Sequence, residues 1–157
     1  MFTSFRATMT ALVFTAAVAT ASVGTAGATN IGEQGCTPGY WKNHTQNWEE
    51  YSPQSLLKFN FTIPAALGVP ANTTFLQALQ GGGGPGLPGA ATILLRAAVA
   101  GYLNAAHEGV GYPYRRFTDP FNIKSQVNAA LASGNRQTIL DLAAVLDAAN
   151  NLGCPLN

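Results

Sequence analysis

Charge is scarce in this sequence: 8 Lys+Arg and 7 Asp+Glu among 157 residues, a formal net charge of +1. Without a basic excess there is no surface for phosphate neutralisation, which excludes nucleic acid as the partner. With 47% hydrophobic residues and so little net charge, the chain is not an intrinsically disordered tail either. Histidine and cysteine number two each. There is no His-x-x-x-His or Cys-x-x-Cys pair, and His44 and His107 lie far apart in sequence, so no metal or other cofactor is implied. A Gly-x-Ser-x-Gly nucleophile elbow is missing. The Gly/Pro-rich stretch 81–89 precedes a helical pattern, but that pattern opens Ala90-Ala91-Thr92 and lacks the Lys-Ser/Thr of a phosphate loop. It reads as a flexible connector.

What is present begins with an address. Arg6 is followed by an Ala-rich apolar run over 7–23 and then by Ala26-Gly27-Ala28, the three parts of a secretory signal peptide over 1–28. A membrane anchor needs about 20 strongly apolar residues, whereas this run is broken by Thr8, Thr10, Thr15, Thr20 and Ser22. Cleavage after Ala28 removes one charge, Arg6, and leaves a formally neutral chain. No later segment reads as long and apolar enough to span a membrane, so the product is expected to be secreted or held at the cell surface. In an oxidising compartment Cys36 and Cys154 are expected to pair. They stand near opposite ends of the mature chain, and closing so long a loop is worth about 5 kcal/mol in the chain-entropy model. The expected plan is a signal peptide at 1–28, a flexible lead-in at 29–35 and one helical domain at 36–157.

Thr37-Pro38 has the form of an N-cap and first helical residue. A helix from there to about Glu50 would set Trp41, His44, Trp48 and Tyr51 on one aromatic stripe. Residues 57–63 alternate apolar and polar, the period of a half-buried strand; with no partner run, an extended segment lying across helices is expected. Pro64 and Pro70 bracket a short turn or helical piece, and Asn72-Thr73 can cap a helix ending near Gln80. A long helix is predicted from about Pro88 to Ala106, with Ile93, Ala97, Gly101 and Ala105 on one row that allows close approach of another helix. His107 falls at its end. Thr118 or Asp119 with Pro120 is expected to start the next helix, buried through Ile123, Val127, Ala130 and Leu131 up to Ser133-Gly134. The last starts at Asn135 or Arg136, buries Ile139, Leu142 and Val145 or Leu146, and stops at Gly153. The fold class is mainly α.

The string Gly35-Cys36-Thr37-Pro38-Gly39-Tyr40-Trp41-Lys42-Asn43-His44 resembles the Cys-x-x-Gly-Tyr-Trp-Lys-(Asn/Thr)-His opening of secreted domains found mainly in bacteria. The strings at 93–99, 103–107, 112–114, 127–134 and 150–156 are similar to the rest of the same domain. The resemblance spans about 35–156 and implies an extracellular or envelope-associated protein; it carries no activity, cofactor or ligand.

Chemistry leaves three readings. The first is a non-catalytic binding or structural module that recognises a glycan or protein. Its candidate contacts are Tyr40, Trp41, Lys42, Asn43, His44 and Trp48, completed by His107, Tyr112 and Tyr114, because flat aromatic faces beside amides suit sugar rings and protein hot spots alike. Against it stands the plainer alternative that Trp41 and Trp48 simply fill the core. The second is an extracellular hydrolase with His44 or His107 as general base, oriented by Glu49, Glu50, Glu108 or Asp119. The third, a metal site on the two histidines, has no supporting spacing. Arg115 and Arg116, beside Tyr112, Tyr114 and Phe117, read as surface residues that pair with nearby acids or rim a ligand site.

Overall fold

The structure is a computed structural model that describes residues 32–119 and 121–156. The expected signal peptide at 1–28, the first part of the expected lead-in and Pro120 lie outside the described residues. Among those residues there are six α-helices, two 3-10 turns and no strand longer than an isolated bridge. The helices are α1 (Pro38–Asn43), α2 (Leu57–Asn60), α3 (Phe75–Gln80), α4 (Gly86–Ala106), α5 (Ile123–Ala132) and α6 (Arg136–Asn150), with 3-10 turns at Thr45–Asn47 and Ala65–Leu67. The mainly α, disulfide-closed architecture expected from the sequence is the one found.

Helix α4 is the axis of the fold. It is buried on nearly all sides, packing against α6, α3, α5 and α1. By length and composition α4 is apolar enough to cross a membrane, which corrects the expectation that no segment after the leader is; 67% of its apolar window is buried among the other helices. The small row works as read at its centre. A Cβ at Gly101 would stand 3.1 Å from the Tyr112 hydroxyl, so glycine there admits the chain after α4 as well as α5.

The start of α1 follows its sequence signals: the Thr37 hydroxyl accepts from the Tyr40 N–H at 3.1 Å and Pro38 takes a first-turn position that needs no donor. Its end does not. The helix stops at Asn43 rather than near Glu50, because His44 leaves helical geometry and the Trp48 indole N–H donates to the Trp41 carbonyl at 3.0 Å. A continued helix would have given that carbonyl to the Thr45 N–H. The single aromatic stripe therefore does not form.

Residues 57–60 are a helical turn and not extended. Leu57 and Phe61, four apart, turn inward, and the intervening Phe59 is 74% exposed. An antiparallel bridge between Leu56 and Thr74 brings this turn beside α3, whose cap is Thr74 in a capping box with Gln77, one residue later than expected. Helix α5 starts at Ile123, capped by Asn122, and not at Thr118–Pro120. The loop carbonyls of Arg115 and Arg116 accept the N–H groups of Ile123 and Lys124, so the first-turn donors are met from outside the helix. Asn135 caps α6 as expected, accepting from the N–H groups of Gln137 and Thr138. Ile139 and Leu146 are buried there, while Leu142 is half-buried, Val145 is exposed and the helix ends at Asn150, short of Gly153.

Cys36 and Cys154 are bonded, 118 positions apart in sequence with Cα atoms 4.4 Å apart. Gly35 pairs with Gly153 beside the bond, and a Cβ at Gly35 would stand 2.1 Å from the Ala149 carbonyl oxygen, so only glycine fits. The described part of the lead-in is fastened rather than free: the N–H groups of Gly32 and Gln34 donate to the Gly111 carbonyl, and Gln34 Oε1 accepts from the Gly111 N–H.

Candidate functional site

The residues of the aromatic motif divide into a buried set and an exposed set. Trp41 has no exposed surface and belongs to the core, so it offers no face to a ligand. Its indole N–H donates to Asn104 Oδ1 at 3.0 Å. The same oxygen accepts the Cys36 N–H at 2.8 Å, and Asn104 Nδ2 donates to the Cys36 carbonyl and to Asn150 Oδ1, both at 2.9 Å. Asn150 in turn accepts from the Tyr112 hydroxyl at 2.8 Å and donates to the Ala97 carbonyl at 3.0 Å. Every donor and acceptor position of the Asn104 amide is filled, as a buried polar group requires. Cys36, Trp41 and Tyr112 are thus structural partners of two asparagines that the sequence reading passed over. The available signal was an amide inside an otherwise apolar helix.

On the surface, Tyr40 and His44 stack with ring centroids 4.2 Å apart, over a shallow groove of about 400 Å³ that Asn43 and Cys154 also line. Tyr40 is tied down by its hydroxyl, which donates to the Leu156 carbonyl and accepts from Asn47 Nδ2. His44 Nδ1 donates to the Tyr40 carbonyl at 2.9 Å, which leaves the lone pair on Nε2. Lys42 is exposed, and Trp48 is half-buried against the core.

His107, Tyr112 and Tyr114 lie elsewhere, on a larger cleft of about 530 Å³ formed by the end of α4 and the loop after it. Tyr114 is half-buried and meets Tyr112 edge to face at 5.9 Å. His107 caps α4; its Nδ1 accepts the Gly109 N–H at 3.0 Å and its Nε2 lies 3.5 Å from Glu49 Oε1. Glu49 also accepts the Glu108 N–H at 2.8 Å. With Nδ1 occupied as an acceptor and Nε2–H turned to a carboxylate, His107 has no lone pair free for proton abstraction.

The other end of this cleft is organised around Arg116. Its guanidinium donates to both oxygens of Glu50, at 2.7 and 2.9 Å, and to the Tyr51 hydroxyl at 3.0 Å, and its carbon lies 5.5 and 5.3 Å from the ring centroids of Tyr51 and Phe117. The hydrogen bonds to Arg116 hold the Glu50 carboxyl below its ordinary range, and those to Glu50 push the guanidinium further up. Glu50 is the one non-glycine among the described residues with positive φ, +61°, and the Tyr51 N–H closes on the Glu49 carbonyl at 2.7 Å. This three-residue turn with left-handed φ is a strained form that costs about 1–3 kcal/mol. Behind it, Tyr102 is fully buried, touching the rings of Tyr51 and Phe117, and its hydroxyl has no hydrogen-bond partner among the described residues. Burial pushes that phenol well above its ordinary value, as it does Tyr112.

The structure thus distributes the sequence-predicted residues over two surface sites and a buried node. Tyr40, Asn43 and His44 share one groove, His107, Tyr112 and Tyr114 share another, and Trp41 is inside. Arg115 and Arg116 pair with Asp119 and Glu50 respectively. Among the described residues no group of three or more His, Cys, Asp or Glu side chains could hold a metal ion. Compared with protein-family models, with curated proteins and with solved structures, the chain matches none.

Proposed function

We propose that this protein is a secreted or cell-surface, non-catalytic module that binds a glycan in the cleft formed by the end of α4 and residues 108–118. The observation that carries this reading is the composition of the cleft: the Tyr114 and Phe117 rings beside a guanidinium–carboxylate pair, with both ring nitrogens of His107 committed to internal contacts. Flat apolar faces edged by planar polar groups suit pyranose rings, which present C–H on one side and hydroxyls at the rim. The leader-like N-terminus and the disulfide support an extracellular site of action.

An extracellular hydrolase is the competing reading. It is served less well, since His107 is spoken for; only His44 Nε2 keeps a lone pair. The cleft is tested by calorimetric titration of the mature protein with soluble oligosaccharides of several backbone types. Binding that falls about tenfold or more in Tyr114→Ala, with melting temperature unchanged, is the expected result. Absence of heat with every sugar, or binding indifferent to Tyr114, would discard the proposal, and turnover lost in His44→Ala would replace it with the hydrolase.

A further inference from the structure

Arg116 is built as a carboxylate receptor that the protein's own chain fills. Its planar fork is presented edge-on to two parallel oxygens, the geometry in which guanidinium recognises carboxylate most strongly, and two aromatic rings hold the fork in place. The group that fills it is an unusual choice. Glu50 reaches Arg116 from a backbone conformation that glycine or asparagine adopts with far less strain, on a side chain 56% exposed at the mouth of the cleft. Strain of this kind gathers at ligand clamps and switch regions, where the surrounding structure holds it in place. Tyr102, whose ring touches the Tyr51 and Phe117 rings that flank the same guanidinium, has a buried hydroxyl with no hydrogen-bond partner among the described residues. Such groups are rare in folded proteins because their desolvation goes uncompensated.

We propose that Glu50 is an internal stand-in for the carboxylate of a uronic-acid unit, which displaces it from Arg116 when an acidic glycan enters the cleft. This rests on the glycan-binding reading above and names its substrate class. Displacement frees Glu50 from its left-handed turn, and the incoming carboxylate takes the Arg116 fork beside the Tyr51 hydroxyl. Because the seat is occupied at rest, apparent affinity is reduced by the fraction of molecules in which Glu50 holds it. Acidic peptides carry the same group on a chain without sugar faces, and the half-buried Tyr114 ring at the cleft favours the sugar.

The experiment is titration of the mature protein and its variants with oligogalacturonate, its methyl ester, a neutral cello-oligosaccharide and hexaglutamate. Glu50→Gly, which removes the competitor and suits the positive φ, is expected to tighten oligogalacturonate by about tenfold or more. Glu50→Gln, which retains the side-chain shape, is expected to tighten it in the same direction. Arg116→Lys should abolish the preference for the acid over its ester, because an ammonium lacks the planar fork. Melting curves of each variant confirm that folding is retained. Equal binding of acid and ester, or unchanged affinity in both Glu50 variants, overturns the proposal; if the neutral sugar still binds through Tyr114, the glycan reading survives it. Hexaglutamate binding with Arg116 dependence while oligogalacturonate does not bind overturns it in favour of an acidic peptide. No binding of any sugar removes both readings together.

Discussion

Asn104 on α4 and Asn150 on α6 hydrogen-bond through their side-chain amides at 2.9 Å, and neither residue has any exposed surface. This contact joins the disulfide end of the chain to the middle of the fold, since Asn104 also holds both backbone groups of Cys36 and the Trp41 indole. The segment the sequence marks out as its densest chemistry is therefore, at Cys36 and Trp41, a fastening.

Replacing Asn104 with alanine strands four polar positions at once: the Cys36 N–H and carbonyl, the Trp41 indole N–H and one side of Asn150 Oδ1. Each unpaired buried group costs about 1–3 kcal/mol, and with some relaxation the expected loss is about 3 kcal/mol or more. Urea unfolding of Asn104→Ala with an unchanged slope and a lower midpoint is the check. A loss below about 1 kcal/mol would show that the network contributes no more than an ordinary exposed contact.

The disulfide acts on the same end of the molecule through the unfolded state. Cys154→Ala opens a loop of 118 positions, for which chain entropy gives about 5 kcal/mol at most, reduced by structure left in the unfolded chain. The variant should lose several kcal/mol in denaturant unfolding and become sensitive to proteolysis between residues 32 and 36. A melting temperature that does not move would sink this account.

What could be read from the chain beforehand was local. Thr37 with Pro38, Asn135 and the inward face Ile123, Val127, Ala130 and Leu131 follow from caps and periodicity, which act within a few residues. The failures share a cause, a distant or out-of-window partner. Trp48 reaches back seven positions to take the Trp41 carbonyl and end α1. Leu57 bonds to Thr73 across a turn, which makes 57–60 helical despite its alternating pattern. The start of α5 is set by carbonyls of Arg115 and Arg116, not by the apparent cap at Thr118 or Asp119. Of the cleft, His107, Tyr112, Tyr114 and the two arginines were visible as candidates, whereas the pairing of Arg116 with Glu50, 66 positions away, and the buried hydroxyl of Tyr102 were not.

The two tryptophans separate core from surface in solution. Trp48→Phe leaves Trp41 as the sole indole, with no exposed surface and its N–H on Asn104. Its emission should be blue-shifted and resist acrylamide, and the wild-type protein should show a second, more readily quenched component from half-buried Trp48. Strong quenching of Trp41 in a cooperatively folded variant would contradict the packing of α1 against α4 and return Trp41 to the surface candidates.

Alkaline stability follows from the two buried phenols. Burial pushes Tyr102 and Tyr112 up from the ordinary value near 10, so the folded state keeps both protons where the unfolded chain releases them. Their stabilising contribution is whole below about pH 10 and is lost progressively above it, because the unfolded state then binds fewer protons than the native one. The urea midpoint should hold level from neutral pH to about 9 and fall steeply beyond 10. Absorbance titration should show Tyr102 and Tyr112 ionising only as the protein unfolds. Tyr112→Phe removes one of the two contributions and should flatten the alkaline slope, at the cost of about 1 kcal/mol at neutral pH for the bond to Asn150. An alkaline slope the same in Tyr112→Phe as in the wild type would mean that this phenol is open to solvent, and the Asn150–Tyr112 link would have to be abandoned.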